Sequence, residues 1–193
     1  NIPLFLAGAI GLTSCLIMKP EGAARSWAAV FLCAVLTAFG SAYYHWSPSN
    51  ESLVWDRLPM AAGFMALFIA VTSEHLGTQF EKLGLAMAIA AGASSVLWWA
   101  IFDDLRFYGW IQFFPLVTIC AIIIFYPGAY SHRHYLAFGL GLYLLAKFAE
   151  HYDGAIFAMT GGALAGHPLK HLLAAAAVLS ICLMLRNRRR LAP

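Results

Sequence analysis

The sequence predicts an all-α integral membrane protein, a bundle of seven transmembrane helices that forms one domain over residues 1–193. Composition is the first observation behind this prediction. Hydrophobic residues make up 62% of the chain and charged residues only 11%, whereas a soluble domain carries about 25% charged residues. The second observation is that the apolar residues gather into runs near the ~20 residues needed to cross the hydrocarbon core as a helix. An open sheet would leave backbone groups unsatisfied in lipid, so each run is expected to be helical.

Seven apolar runs follow one another along the chain. They are Ile2–Met18, Trp27–Trp46, Leu53–Ser73, Leu83–Phe102, Trp110–Tyr126, Tyr135–Phe157 and Pro168–Leu185. A short segment that is polar or rich in glycine and proline separates each run from the next, because such residues favour turns and loops. In chain order these segments are KPEGAARS, SPSNES, SEHLGTQFEK, DDLRFYG, PGAYSHRH and MTGGALAG. Polar residues interrupt the ends of the third and sixth runs.

Basic residues predict the orientation of the bundle, since cytoplasmic loops carry an excess of lysine and arginine. An Arg-rich C-terminus on the cytoplasmic side gives that side eight basic residues and leaves Arg57 and Arg106 on the other. The eight are Lys19, Arg25, Lys82, Arg133, Arg186, Arg188, Arg189 and Arg190. We therefore expect a multi-pass protein of a bacterial inner membrane with its N-terminus outside. The arginine run is interpreted as a helix end, so nucleic acid is not an expected partner.

Five polar residues in these runs or directly beside them are expected to meet at the outer face: Ser41, His45, Asp56, His167 and His171. The second run ends outside, the third begins there, and the seventh begins there again. Two of the pairs, Ser41 with His45 and His167 with His171, have the i, i+4 spacing that places side chains on one helix face. Ionisable residues inside a membrane segment are costly and mark a functional site by default.

Three imidazoles beside a carboxylate and a hydroxyl are what a catalytic zinc site requires. The simpler interpretation is that each histidine is an interfacial residue with an ordinary hydrogen bond, and that Asp56 merely caps the third helix. Glu150 and Asp153 at the end of the sixth run could either contact substrate or have a structural role. Aromatic residues near the fourth break are interpreted as an interfacial belt, and Asp103, Asp104 and Arg106 as a solvated loop.

The pattern Ser41-x3-His45-x10-Asp56, followed by Leu-Pro-Met and later by His167-x3-His171, resembles the alkaline ceramidase family. That family belongs to the CREST group of seven-helix membrane hydrolases, which also includes the adiponectin receptors. The resemblance covers roughly residues 40–173 and implies a Zn²⁺ ion held by the three histidines. It also implies catalytic roles for Asp56, as a proton shuttle, and for Ser41. Members of the animal type carry an acidic N-terminal segment that binds calcium, whereas the first acidic residue here is Glu21, so calcium dependence is not expected to carry over.

The expected function is that of a zinc-dependent membrane hydrolase that cleaves the amide bond of a ceramide-like lipid entering from the bilayer and releases a fatty acid. The alternative is a zinc-containing membrane receptor or sensor of the adiponectin-receptor type with little or no turnover. A metal or proton transporter is less favoured, because the polar residues gather at one face and form no relay across the membrane. The residues leave open the acyl chain, the head group, the choice between amide and ester, and the oligomeric state.

Overall fold

The structure, a computed structural model, describes residues 1–126 and 128–191, and over this part of the chain it is all-helical and has no β-strand. The all-α prediction is therefore confirmed. The helices are α1 (Ile2–Met18), α2 (Ala24–Trp46), α3 (Asn50–Leu76), α4 (Glu81–Phe102), α5 (Arg106–Phe125), α6 (His134–His151), α7 (Asp153–Met159) and α8 (Gly166–Asn187), with a 3-10 turn at Thr78–Phe80.

Five helical segments are long and apolar enough to cross a membrane. They are Ala24–Trp46, Asn50–Leu76, Thr78–Phe102, Arg106–Phe125 and Gly166–Asn187, and Ile2–Met18 is a shorter apolar helix. Large apolar side chains such as Leu83, Phe113 and Phe125 are exposed on the outside of the bundle. A monomeric soluble protein rarely exposes so large a continuous apolar surface. These features identify a multi-pass membrane protein.

The start of α3 lies three residues before the apolar run that predicted it. The Ser49 hydroxyl accepts a hydrogen bond from the Ser52 backbone N–H at 3.1 Å, and the Ser52 hydroxyl accepts one from the Ser49 N–H at 3.0 Å. This reciprocal arrangement is a capping box. Polar capping residues extend the helix beyond its apolar part. A prediction based on hydrophobicity alone does not detect this extension.

The single span predicted over Tyr135–Phe157 is divided in the structure. Helix α6 ends at His151, Tyr152 leaves the helical conformation with φ −99° and ψ 25°, and a separate helix, α7, begins at Asp153. The prediction of one continuous helix here was wrong. The break allows the residues after His151 to contact the beginning of α8, as described below.

Helix α3 packs against α2, α4 and α5, whereas α8 packs against α1 and α6. Helix α1 also contacts α2, and a small cluster of buried residues joins α1, α2 and α8. Ala34 and Ala38 of α2 and Ala175 of α8 belong to this cluster. Helix α1 packs against both α2 and α8, so the three helices share this cluster.

A buried ion pair holds the opposite end of the bundle, where α2 begins and α3 and α8 end. Arg188 Nη1 lies 2.8 Å from Glu74 Oε2, and the two side chains are 4% and 8% exposed. Glu74 Oε1 also accepts hydrogen bonds from the Trp27 indole N–H at 2.8 Å and from the Ala23 backbone N–H at 3.2 Å. The unsatisfied N–H groups at the start of α2 thus find a carboxylate partner. We call Glu74, Arg188 and Trp27 the ionic lock.

Candidate metal centre

Three histidines from two helices converge at the other end of the bundle. His45 lies in the last turn of α2, and His167 and His171 lie in the first two turns of α8. The last turn of α2 and the first turn of α8 face the same end because the two helices run in opposite directions. His45 and His167 are 122 residues apart in the sequence, so tertiary packing alone brings them together.

The ring nitrogens of the three histidines point at one another. His167 Nε2 lies 3.0 Å from His45 Nε2 and 3.1 Å from His171 Nε2. Ligand nitrogens at the corners of a tetrahedral zinc site are about 3.3 Å apart, as follows from Zn–N bonds of about 2.0–2.1 Å. The three side chains form a group that could hold a metal ion.

Hydrogen bonding among the rings does not account for this convergence as well as a shared cation does. A neutral imidazole nitrogen carries either one hydrogen or one lone pair in the plane of the ring. His167 Nε2 faces two other Nε2 atoms, so it can pair well with only one of them. A cation between the three nitrogens would satisfy all of the lone pairs together. The residues present therefore fit a metal with a preference for nitrogen ligands.

Close packing of α2 against α3 brings Ser41 and Asp56 to the same region. A Cβ atom added at Gly40 would collide with the carbonyl of Trp55, so only glycine permits this approach. Ser41 is 4% exposed, and Asp56 is half-buried with His45 and Lys170 near enough to interact with its charge. Asp56 does not cap α3, because the helix begins at Asn50 and Ser49 is its cap.

Asp153 fixes the beginning of α8, which is a structural contact of the kind that the sequence left open for this residue. Its carboxylate oxygen accepts a hydrogen bond from the backbone N–H of His167 at 2.6 Å. A carboxylate at a helix N-terminus stabilises the unsatisfied N–H groups there. A Cβ atom added at Gly166 would collide with the carbonyl oxygen of Ala149, so α8 touches the backbone of α6 beside the first α8 histidine.

Glu150 contacts two lysines, and one of them joins α6 to α8. Its carboxylate lies 2.5 Å from Lys147 Nζ on its own helix and 2.8 Å from Lys170 Nζ on α8. Lys170 lies between the two histidines of α8 in sequence, so this contact fixes the turn that carries them. Glu150 therefore has a structural contact in addition to any contact with substrate.

The connection between α4 and α5 is solvated, as the sequence predicted. Arg106 is 89% exposed on its side chain and pairs with Asp104 at 2.8 Å. Hydrogen bonds from Arg106 hold the pKa of the Asp104 carboxyl well below its usual range. Asp104 and Arg106 therefore pair with each other, and neither belongs to the group of three histidines.

Sequence reasoning missed the two glycines that make these contacts. Gly40 comes directly before Ser41, and Gly166 directly before His167. Their positions directly before two residues of the motif were the available signal, because glycine allows two backbones to approach closely. No protein-family model, curated protein or solved structure matches this chain. The interpretation of the centre therefore depends on its geometry and on the motif it contains.

Proposed function

We propose that the protein is a zinc-dependent membrane hydrolase that cleaves the amide bond of a ceramide-like lipid and releases a fatty acid. The observation that carries the proposal is the convergence of the His45, His167 and His171 Nε2 atoms at one end of an apolar helical bundle. The resemblance of the same residues, with Ser41 and Asp56, to the alkaline ceramidase motif supports the choice of reaction.

The donor set suits zinc. Three neutral nitrogens leave one position open, as in catalytic rather than structural zinc sites. None of the four cysteines belongs to the group of three histidines that could hold the ion. Bound zinc would supply Lewis-acid activation of a water molecule and of the substrate carbonyl at neutral pH.

Asp56 and Ser41 would handle the proton and the developing charge. Asp56 would accept the proton of the attacking water and pass it to the leaving amine, as a carboxylate within hydrogen-bond reach can do. The buried Ser41 hydroxyl would donate a hydrogen bond to the oxygen that gains negative charge. Burial strengthens that hydrogen bond, because little water is present to compete for it.

In this proposal the seven spans are α1 to α6 and α8, and α7 lies at the outer face beside the metal. Helix α6 has 18 residues, which at about 1.5 Å each gives nearly the ~30 Å of a hydrocarbon core. The basic residues favour an outside N-terminus and a cytoplasmic C-terminus in a bacterial inner membrane. The lipid would reach the centre from the bilayer.

The test combines metal content with turnover. Purified protein should hold one zinc and release fatty acid from a ceramide panel, and a chelator should abolish the release until zinc is restored. His171→Ala should lose the metal and the activity together, whereas His75→Ala, in the last turn of α3 at the opposite end, should keep both. Zinc-loaded protein that binds lipid but releases no acid would favour the receptor alternative instead.

A further inference from the structure

Arg57 follows Asp56 on α3 and lies among aromatic rings of the neighbouring helices. Its guanidinium carbon is 4.1 Å from the ring centroid of Trp99 and 5.2 Å from that of Tyr108. Trp99 is in the last turn of α4, and Tyr108 is in the first turn of α5. All three residues therefore lie at the end of the bundle that carries the histidines.

The guanidinium group of Arg57 has a free donor. Its Nη1 atom is buried and has no hydrogen-bond partner among residues 1–126 and 128–191. Arg57 also forms none of the ion pairs within that part of the chain, whereas Arg106 and Arg188 each contact a carboxylate at 2.8 Å. A buried donor without an acceptor is costly, so its presence requires an explanation.

Aromatic rings compensate the charge of Arg57 but not its donors. The face of an aromatic ring attracts a cation through its quadrupole. The N–H groups of guanidinium lie in the plane of the group and point away from a ring stacked on it. Tyr108 does not accept from Arg57, and its hydroxyl instead receives a hydrogen bond from Gln112 Nε2 at 3.3 Å. The buried in-plane Nη1 donor therefore lacks an acceptor within the described residues.

An oxyanion is the ligand that suits this site. Guanidinium is planar and always charged, and it binds the paired oxygens of a carboxylate or a phosphate better than any neutral group. Arg57 is adjacent in sequence to Asp56, and the two side chains are close enough for their charges to interact. A lipid whose polar group reached Asp56 would bring its other polar atoms near Arg57.

We propose that Arg57 binds an anionic oxygen group of a lipid, either the carboxylate of a fatty acid or the phosphate of a head group. The inference rests on the proposed function, because hydrolysis of a lipid amide generates a carboxylate at this place. The inference goes beyond that function because it assigns recognition of the anionic group to Arg57, which lies outside the ceramidase-like motif. Trp99 and Tyr108 position the guanidinium for this contact.

The test measures binding and not turnover. Purified protein in lipid nanodiscs is titrated with oleate, oleyl phosphate and oleyl alcohol, which share one hydrocarbon chain. Arg57→Gln should weaken the binding of the matching anion about 10-fold to 100-fold, as expected for a charge-assisted hydrogen bond. The binding of oleyl alcohol should not change. The anion that is affected identifies the source as a carboxylate or a phosphate.

Arg106→Gln is the matched control, because Arg106 is an exposed arginine at the same end already paired with Asp104. It should leave all three affinities unchanged. If Arg57→Gln lowered the affinity for the alcohol and for the anions equally, or lowered none of the affinities, the inference would be overturned. If that variant does not fold, Arg57→Lys replaces it, since lysine keeps the charge but loses the planar group. Wild-type affinity for both anions in Arg57→Lys would also overturn it.

Failure of this inference is distinguishable from failure of the proposed function. Fatty acid release from ceramide is measured in parallel on the same preparations. Arg57-dependent binding of an anion in protein that releases no acid would refute the hydrolase and keep the anion site. If fatty acid release depends on zinc but anion binding is the same with and without Arg57, the anion site alone would be refuted.

Discussion

At the scale of single residues, the candidate centre separates groups that would hold the metal from groups that would move protons. His45, His167 and His171 face one another through Nε2, whereas Asp56 approaches from α3, a helix that contributes none of these nitrogens. A residue that binds the metal and one that acts on the substrate respond differently to substitution. That difference can be measured.

Asp56→Asn tests the catalytic assignment. The amide keeps the shape of the side chain but cannot take a proton, so turnover should fall about 10²–10⁴-fold. Zinc content, measured by elemental analysis, should stay at the wild-type level. A variant that loses zinc would show that Asp56 is a ligand, and a variant with undiminished turnover would remove it from the mechanism.

The pairing of residues within each helix was predictable because their spacing is local. Ser41 with His45 and His167 with His171 lie on single helices, and the i, i+4 rule places each pair on one face without any tertiary information. The role of Asp153 was not predictable in the same way. Its carboxylate binds the backbone N–H of His167, 14 residues later in the chain, and only the break after α6 brings the two together.

At the scale of helices, two glycine contacts set how closely α2 approaches α3 and how closely α8 approaches α6. The backbones touch at Gly40 and at Gly166, and each glycine comes directly before a residue of the centre. The order of helices and most of their limits followed from the apolar runs. The close approach of the helices at these glycines did not follow from the apolar runs. Hydrophobicity indicates whether a segment is a helix, but not how far the helix lies from its neighbour.

Gly166→Ala is expected to separate the start of α8 from α6. The new methyl group collides with the backbone oxygen of Ala149, which cannot turn aside as a flexible side chain would. Overpacking of this kind costs about 1–3 kcal/mol, so the thermal unfolding temperature should fall. Zinc affinity should fall with it, because His167 moves with the helix.

Gly141→Ala is the control for this experiment. Gly141 lies within α6, and a Cβ atom there meets nothing within 4 Å. Alanine favours a helix over glycine by up to about 1 kcal/mol, so this variant should be as stable as the parent or slightly more stable. Equal behaviour of the two variants would contradict the importance of the Gly166 contact.

At the scale of the whole molecule, the two ends of the bundle have different chemistry. The end with the histidines also carries Arg57 and the solvated Asp104–Arg106 pair, and the other end carries the ionic lock. The multi-pass architecture was predictable from composition. The lock was not, since the arginine run was interpreted only as a marker of orientation, whereas Arg188 is buried against Glu74.

The orientation can be tested with single cysteines. A water-soluble thiol reagent that does not cross membranes should label Asn50→Cys in intact cells and should not label Thr78→Cys. Both positions are exposed, and they lie at opposite ends of α3. Asn50 is preferable to Ser49 because the Ser49 hydroxyl caps the helix. Both variants should be labelled after the cells are opened. Labelling of Thr78→Cys alone in intact cells would invert the proposed orientation.

Helix α8 takes part in both ends of the bundle, and this affects how the protein is made. Two of the three histidines are at its beginning, and Arg188 follows directly after its end. During synthesis, α1 to α7 leave the ribosome before α8 does. Until α8 inserts, His45 lacks its partner histidines and Glu74 lacks its arginine. An unpaired charge in an apolar environment is strongly unfavourable, so a chain interrupted before α8 would leave the Glu74 carboxylate uncompensated, a local defect exposed to the proteases that remove unfinished proteins.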